Sequence, residues 1–214
     1  MNYVDEKDRK LSNYFDQVAD KWDSNPLKVE RAKLTAKKIK EVNFGSFHRL
    51  IDFGSGTGLL GMQLSDVFNE VHLIDSSSEM LNIAKTKIKQ AGLLNIQTHD
   101  VNRLSALALN CSVIATLMTL HHVENIYQFF ADAYNTLEDN GVLIIADLYL
   151  EDGSFHKHNP LFNGHNGFDI LVLSDIAKQN GFVVDSAETY YEIWQENFED
   201  VRVSYPLFFF VARK

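Results

Sequence analysis

The chain has 214 residues, with 20 lysines and arginines against 29 aspartates and glutamates, a formal net charge of −9. That length suits one large domain with a core of its own, and the negative average field argues against nucleic acid as the main partner. Its single cysteine, Cys111, excludes an internal disulfide and any Cys-x-x-Cys zinc set. The charged opening "MNYVDEKDRKLSNYFDQ" lacks the apolar core of a signal peptide, and no apolar run reaches membrane-spanning length. A reducing cytoplasm is the expected setting, with no membrane partner.

The first forty-odd residues read as helical, broken in two at Asn25-Pro26. Pro26 fits a first helical turn, where its missing N–H costs nothing. "KLTAKKIK", Lys33 to Lys40, reads as the solvated face of an amphipathic helix. After Gly45 strands and helices alternate. "RLIDF" is a buried strand and "GLLGMQLSDVF" a helix; "EVHLID" is a second strand and "SSEMLNIAKTKIKQAG" a second helix stopped by Gly92. "NIQTHD" and "SVIATLMTL" are further strands, and "ENIYQFFADAYNTLEDNG" is a helix stopped by Gly141 before the strand "VLIIADLYL". "DILVLSDIAKQNG" is a helix stopped by Gly181, and "FVVDSAETYYEIWQ" and "VRVSYPLFFFVARK" are two strands with a short acidic turn between them. Apolar strands alternating with helices imply a parallel sheet covered on both faces. The last two strands have no room for a helical crossover, so they form an antiparallel hairpin. The expected organisation is a helical cap over 1–44 and a ligand-binding α/β domain over 45–214 as one structural unit.

"LIDFGSGTGLLGMQL", Leu50 to Leu64, carries the first chemical signal. Gly54, Gly56 and Gly58 remove side chains where the backbone turns after a strand and approaches a ligand, and the residues that follow present unpaired N–H groups there. A dinucleotide fingerprint starting at Gly54 and Gly56 needs a third glycine at position 59, which is Leu59, and no Lys-Ser/Thr pair completes a Walker loop. A ligand with an adenosine but no pyrophosphate fits better.

Taken together, "IDFGSGTG", "LIDSSSEMLNIAK", "THDV", "TLMTLHHV" and "NTLEDNGVLIIAD" resemble, in order, the motifs of class I S-adenosylmethionine-dependent methyltransferases. "NYFDQVADKWD" resembles the amino-terminal segment of the subgroup that includes quinone-biosynthesis methyltransferases. The resemblance implies a three-layer Rossmann-like α/β fold, with a mostly parallel seven-stranded sheet ending in an antiparallel hairpin. It implies S-adenosyl-L-methionine as cofactor and methyl transfer to a small-molecule acceptor by in-line displacement. By that resemblance Gly54, Gly56 and Gly58 lie against the methionine part of the cofactor. Asp52 orders the loop or meets the cofactor's ammonium group. Asp75 accepts from the ribose hydroxyls, its alternative being a helix N-cap. Met80 packs on adenine or simply fills the core. Asp100 accepts from the adenine amino group beside the Val101 backbone, or is a turn aspartate. Thr116 sits where the fourth strand reaches the cofactor. Tyr14 and Trp22 close over the methionine end or pack on the core. Ser112 stands where the family often has an acid, a departure that touches local hydrogen bonding.

The acceptor side is read from histidines and absences. His121 and His122 belong to a pattern common in the family and are expected to be hydrogen-bonded into their loop. In "EDGSFHKHNPLFNGHNGFD", Phe155, His156, His165 and Phe168 are expected to line the acceptor pocket, with His156 or His165 assisting deprotonation. His156, His158, His165, Asp152 and Asp169 match no metal spacing, so no metal is expected. The Asn/Asp-Pro-Pro-Tyr/Phe pattern of nucleic-acid amino methyltransferases is missing, as is a Pro-Cys nucleophile. Two other classes compete: a non-catalytic S-adenosylmethionine-binding sensor or partner subunit, and a nicotinamide oxidoreductase, which Leu59 disfavours. The sequence does not state the oligomeric state.

Overall fold

The computed structural model describes residues 14–159 and 162–214. The first thirteen residues of the expected cap, and Pro160 and Leu161 of the histidine-bearing segment, lie outside them. Two compact units emerge: one runs to Asn43 and resumes over Phe47–Asn102, the other comprises Phe44–Ser46 and Arg103–Lys214.

In the first unit, residues 14–18 are helical and a tight turn spans Ala19–Ser24. Asn25 then caps α1 (Pro26–Lys40): its side chain accepts from the Leu27 N–H at 3.0 Å, and Pro26 takes the first turn as expected. Three parallel strands follow, β1 (Arg49–Phe53), β2 (Glu70–Asp75) and β3 (Ile96–Asp100). Leu50, Ile51, Val71, Leu73 and Ile74 are all buried, the two-faced burial of a central strand. Between β2 and β3 runs α2 (Ser78–Ala91), capped by Ser77 and stopped at Gly92, whose φ of 67° is the left-handed stop the sequence announced. The expected helix after the glycines is instead a run of turns with a short 3-10 segment, Gly61–Leu64. The cause is packing: a Cβ on Gly61 would meet Leu73 Cδ2 at 2.3 Å, so this glycine sits where the chain presses on β2.

In the second unit β4 (Cys111–Leu117) pairs in parallel with β5 (Leu137–Leu148), and between them lies α3 (Ile126–Thr136). The helix ends five residues before Gly141, where the sequence placed its stop. Leu137 pairs with Cys111 and Val142 with Val113, so residues 138–141 bulge out of the ladder, with Asn140 at φ 63°. Next comes α4 (Ile170–Gln179), whose N-cap Asp169 accepts from the Leu171 N–H at 2.7 Å. The hairpin β6 (Val183–Glu196) and β7 (Arg202–Arg213) is antiparallel as expected. β7 also pairs antiparallel with β5, which buries Leu207, Phe208, Phe209 and Phe210 on both faces. Each such side chain contributes roughly 1.5–3 kcal/mol of burial. The seven-stranded sheet has the order β3-β2-β1-β4-β5-β7-β6, the mostly parallel α/β architecture with a terminal hairpin that the sequence implied. Among the described residues, no helix is long and apolar enough to cross a membrane.

Candidate active site

The carboxyl ends of β1 and β2 form the first cluster, all of it in the first unit. Gly54 and Ser55 N–H both donate to Ile74 O, at 2.8 and 2.9 Å, so the loop continues the β1–β2 ladder before it turns. Gly54, Gly56 and Gly58 have φ of 69°, 52° and 79°, backbone that residues with a Cβ rarely adopt. Gly58 is also packed: a Cβ there would sit 2.9 Å from Leu73 Cδ1. Gly56 differs, since its nearest neighbours would be Trp22 Nε1 at 3.8 Å and Met80 Sδ at 3.9 Å. Protein packing therefore leaves room at Gly56, and that room is what a cofactor lying on the backbone requires.

Two carboxylates hold this loop. Asp52 is buried, and its Oδ2 accepts from the Gly61 N–H at 2.8 Å. Burial pushes its pKa up to about 7, with the Asp75 charge adding to the rise and the Gly61 hydrogen bond opposing it. Of the two roles the resemblance allows, ordering the loop is the one with a hydrogen bond in place. Asp75 accepts from the Gly56 N–H at 2.7 Å through Oδ2 and from the Ser77 N–H at 2.8 Å through Oδ1. Burial raises its pKa while these backbone donors pull it down. The N-cap of α2 is Ser77, whose Oγ accepts from the Met80 N–H at 3.2 Å. The Ser76 backbone also donates to this carboxylate, and of its roughly four acceptor sites about one is left for a ligand hydroxyl. Asp100 is exposed at the end of β3 and pairs in register with Asp75, and the Val101 N–H donates to Asp75 O at 3.2 Å. Met80 is fully buried, with its sulfur facing Gly56.

The amino-terminal segment is clamped to this cluster by contacts that the sequence reading missed. Ser77 Oγ donates to Asp16 Oδ1 at 2.6 Å. Thr57 Oγ1 donates to Asp23 Oδ1 at 2.5 Å, and Lys87 Nζ donates to Asp23 Oδ2 at 2.6 Å and Thr57 O at 2.9 Å. Lys28 Nζ stands 2.9 Å from the centroid of the Trp22 ring. Burial, with Arg31 adding, lowers the Lys28 pKa to about 8 against the pull of Asp23. Phe15 meets Trp22 edge-on at 5.7 Å and Tyr14 at 5.4 Å. Trp22 thus reaches the glycine loop, whereas the ring partner of Tyr14 is Phe15.

The second unit carries a different cluster, at the carboxyl ends of β4 and β5. Thr116 is buried near the end of β4, its hydroxyl without a hydrogen-bond partner among the described residues. Met118 follows at φ 54°, a backbone outlier for a long side chain. His121 is buried, and its Nδ1 lies 2.6 Å from Oδ1 of the fully buried Asp147, whose Oδ2 accepts from the His121 N–H at 3.2 Å. The rings of His121, His122 and His156 lie 4.1 to 5.7 Å apart by centroid. Phe162 stacks on His156 at 3.6 Å and meets His122 edge-on at 5.5 Å. Burial drives the His156 pKa down to about 3, with His121 adding and Asp147 opposing. At neutral pH this imidazole is uncharged, with a lone pair to offer and little proton affinity.

The four residues expected to share a pocket fall into two groups. Phe155 packs edge-on to Tyr205 at 5.3 Å, on the His156 side. His165 and Phe168 line a separate cleft of about 660 Å³ with Arg103, Glu124, Leu150 and Val172. His165 Nε2 lies 3.0 Å from Val123 O, and its N–H donates to His121 O at 2.7 Å. Gly164 makes that contact sterically feasible, since a Cβ there would meet His121 O at 2.2 Å. The other polar residues of the segment are dispersed: His158 is exposed, Asp152 bonds Ser154 and Asp169 caps α4.

Residues 51–145 match a family model described as a methyltransferase domain. A demethylmenaquinone methyltransferase of Leptospira interrogans is 26% identical over 196 residues, covering 82% of this chain and 78% of that protein. A ubiquinone biosynthesis O-methyltransferase of Rickettsia felis is 25% identical over 153 residues, covering 66% of this chain and 62% of its own length. The crystal structure of an S-adenosylmethionine-dependent methyltransferase from Clostridium acetobutylicum superposes with a TM-score of 0.64 at 16% identity, covering 94% of this chain and 98% of that one. Fold, glycine loop and relatives define one class, the Rossmann-like methyltransferases. The chain resembles the class I S-adenosylmethionine-dependent methyltransferases; it is an S-adenosylmethionine-dependent methyltransferase, and S-adenosyl-L-methionine is its cofactor.

Proposed function

We propose that this enzyme methylates a small molecule, with the donor held in the first unit by Gly54, Gly56, Gly58, Asp52, Asp75, Met80, Asp100, Val101, Tyr14 and Trp22. The observation that carries the reading is the Asp75 carboxylate clasping the Gly56 N–H at 2.7 Å, which ties the glycine loop to the end of β2. Bound S-adenosylmethionine supplies a methyl group on a sulfonium, already activated for in-line displacement by the acceptor. The chain's share is to orient and to exclude water. Trp22 and its clamp close on the loop side, and Asp75 offers its remaining acceptor site to a cofactor hydroxyl.

A small acceptor is supported by the net charge of −9, which opposes a nucleic-acid partner. It is supported also by relatives that are named for demethylmenaquinone and ubiquinone biosynthesis. The cleft lined by Leu150, His165, Phe168 and Val172 has the size and the apolar-with-few-polar lining of a metabolite site. For an acceptor that holds its proton near pH 7, His165 or His156 assists deprotonation, and the depressed basicity of His156 favours His165. The test is product formation: the purified chain, S-adenosylmethionine and a panel of quinols, phenols and amines, read by mass spectrometry. A methylated product and stoichiometric S-adenosylhomocysteine are expected. Donor binding without any product across the panel would favour a sensor or partner subunit instead. Loss of turnover in His165→Ala supports the base assignment, and unchanged turnover in both His165→Ala and His156→Ala removes it.

A further inference from the structure

We propose that His121, His122 and His156 form a binding site for one divalent transition-metal ion of the zinc class, oriented by Asp147. One ring nitrogen from each of the three lies within 4.8 Å of the others. Metal–imidazole bonds of about 2.0–2.1 Å in tetrahedral geometry separate ligand nitrogens by roughly 3.4 Å, so the rings need to close by at most about 1.4 Å. The carboxylate of Asp147 can only accept, so His121 Nδ1 carries the proton of their 2.6 Å hydrogen bond. That leaves the lone pair on Nε2, the same carboxylate–histidine arrangement that fixes tautomer and ring direction in metal sites.

Two further observations point the same way. His156 Nδ1 is buried and has no hydrogen-bond partner among the described residues, a cost that coordination relieves. The three imidazoles are crowded together, their ring centroids 4.1 to 5.7 Å apart. Neutral imidazole is the form that binds a metal, and borderline divalent ions are its best partners. Three protein ligands leave a position open to water or to an oxygen of the acceptor, the form of a catalytic rather than a structural site. Phe162, stacked on His156, and the close contact of Gly164 with His121 hold the two loops of the cluster together. No motif announces the set, because His121 and His156 come from loops that follow different strands.

The inference rests on these side chains alone and is read without the methyl donor, so its failure leaves the transfer reading standing. Full-length protein stripped with EDTA is titrated with Co²⁺, then with Zn²⁺ in competition. The expected result is saturable uptake of about one Co²⁺ per chain with visible d–d bands, displaced by Zn²⁺. Asp147→Asn is expected to weaken Zn²⁺ roughly 10- to 100-fold, and His156→Ala by at least as much. Because Asp147 is buried, circular dichroism checks each fold, and the more exposed His122→Gln gives a second ligand deletion. Absence of saturable Co²⁺ uptake by the unmutated protein overturns the proposal. So does unchanged affinity in folded His156→Ala and His122→Gln.

Discussion

The two units hold their acids in different ways. In the first, the buried Asp52 and the half-buried Asp75 are satisfied by backbone N–H groups of a glycine-rich loop and the turn after β2. In the second, the buried acid Asp147 accepts from the His121 and Leu148 N–H groups and also from the His121 ring, and that ring stands among other imidazoles. A carboxylate on backbone N–H groups makes a rigid cradle, because those donors are fixed once the loop has turned. Imidazoles instead offer lone pairs and protons that respond to what binds. The first arrangement suits holding a cofactor, and the second suits chemistry at an acceptor or an ion.

The contrast is broken most forcefully at Asp52. Its folded pKa of about 7 lies above the ordinary 3.8. In the pH window between those values the native state holds a proton that the unfolded chain has lost, so stability falls as pH rises from about 4 to about 7. At about 1.4 kcal/mol per pH unit the loss is on the order of 4 kcal/mol. Asp52→Asn keeps an acceptor for Gly61 and should flatten that decline, which urea unfolding of both proteins from pH 4 to 8 will show. A parallel decline in both proteins counts against a buried, protonated Asp52.

In the histidine unit the corresponding experiment is steric. Gly164→Ala places a Cβ against His121 O, at 2.2 Å in the present backbone, and overpacking of that kind costs roughly 1–3 kcal/mol. A lowered thermal midpoint, with donor affinity preserved, is the expected outcome; an unshifted midpoint means the two loops are not pressed together. The smallest effect is expected at Ser77→Ala, which removes the α2 cap and the Asp16 contact. About 1 kcal/mol of stability should go with them, measured by chemical denaturation, and metal uptake in the second unit should be unchanged.

The same contrast explains what could be read in advance. β1 and β2 fall where "RLIDF" and "EVHLID" stand, and α2 stops at Gly92, because apolar runs and a left-handed glycine are local signals. The glycine loop and Asp75 are local too, within one strand-turn-strand stretch. Gly61–Leu64 could not be read as a turn, since the reason is a contact with Leu73 across the loop. The early end of α3 arises from the pairing of Leu137 with Cys111, which propensity does not foresee. Asp16 and Asp23 reach partners 61 and 34 residues away and resemble any surface acid in the sequence. The histidine cluster was half visible: His156 stood out, but its neighbours are His121 and His122 rather than His165, and only the fold brings them together.

The most direct test of the central claim is isothermal titration calorimetry of the full chain with S-adenosylmethionine, repeated on Asp75→Asn and with NAD as control. Saturable binding of S-adenosylmethionine by the unmutated protein, weakened roughly 10- to 100-fold in Asp75→Asn through the loss of charged hydrogen bonds, with no response to NAD, is the predicted result. No heat from S-adenosylmethionine at millimolar concentration, or an Asp75→Asn variant that binds as well as the unmutated protein, would contradict it.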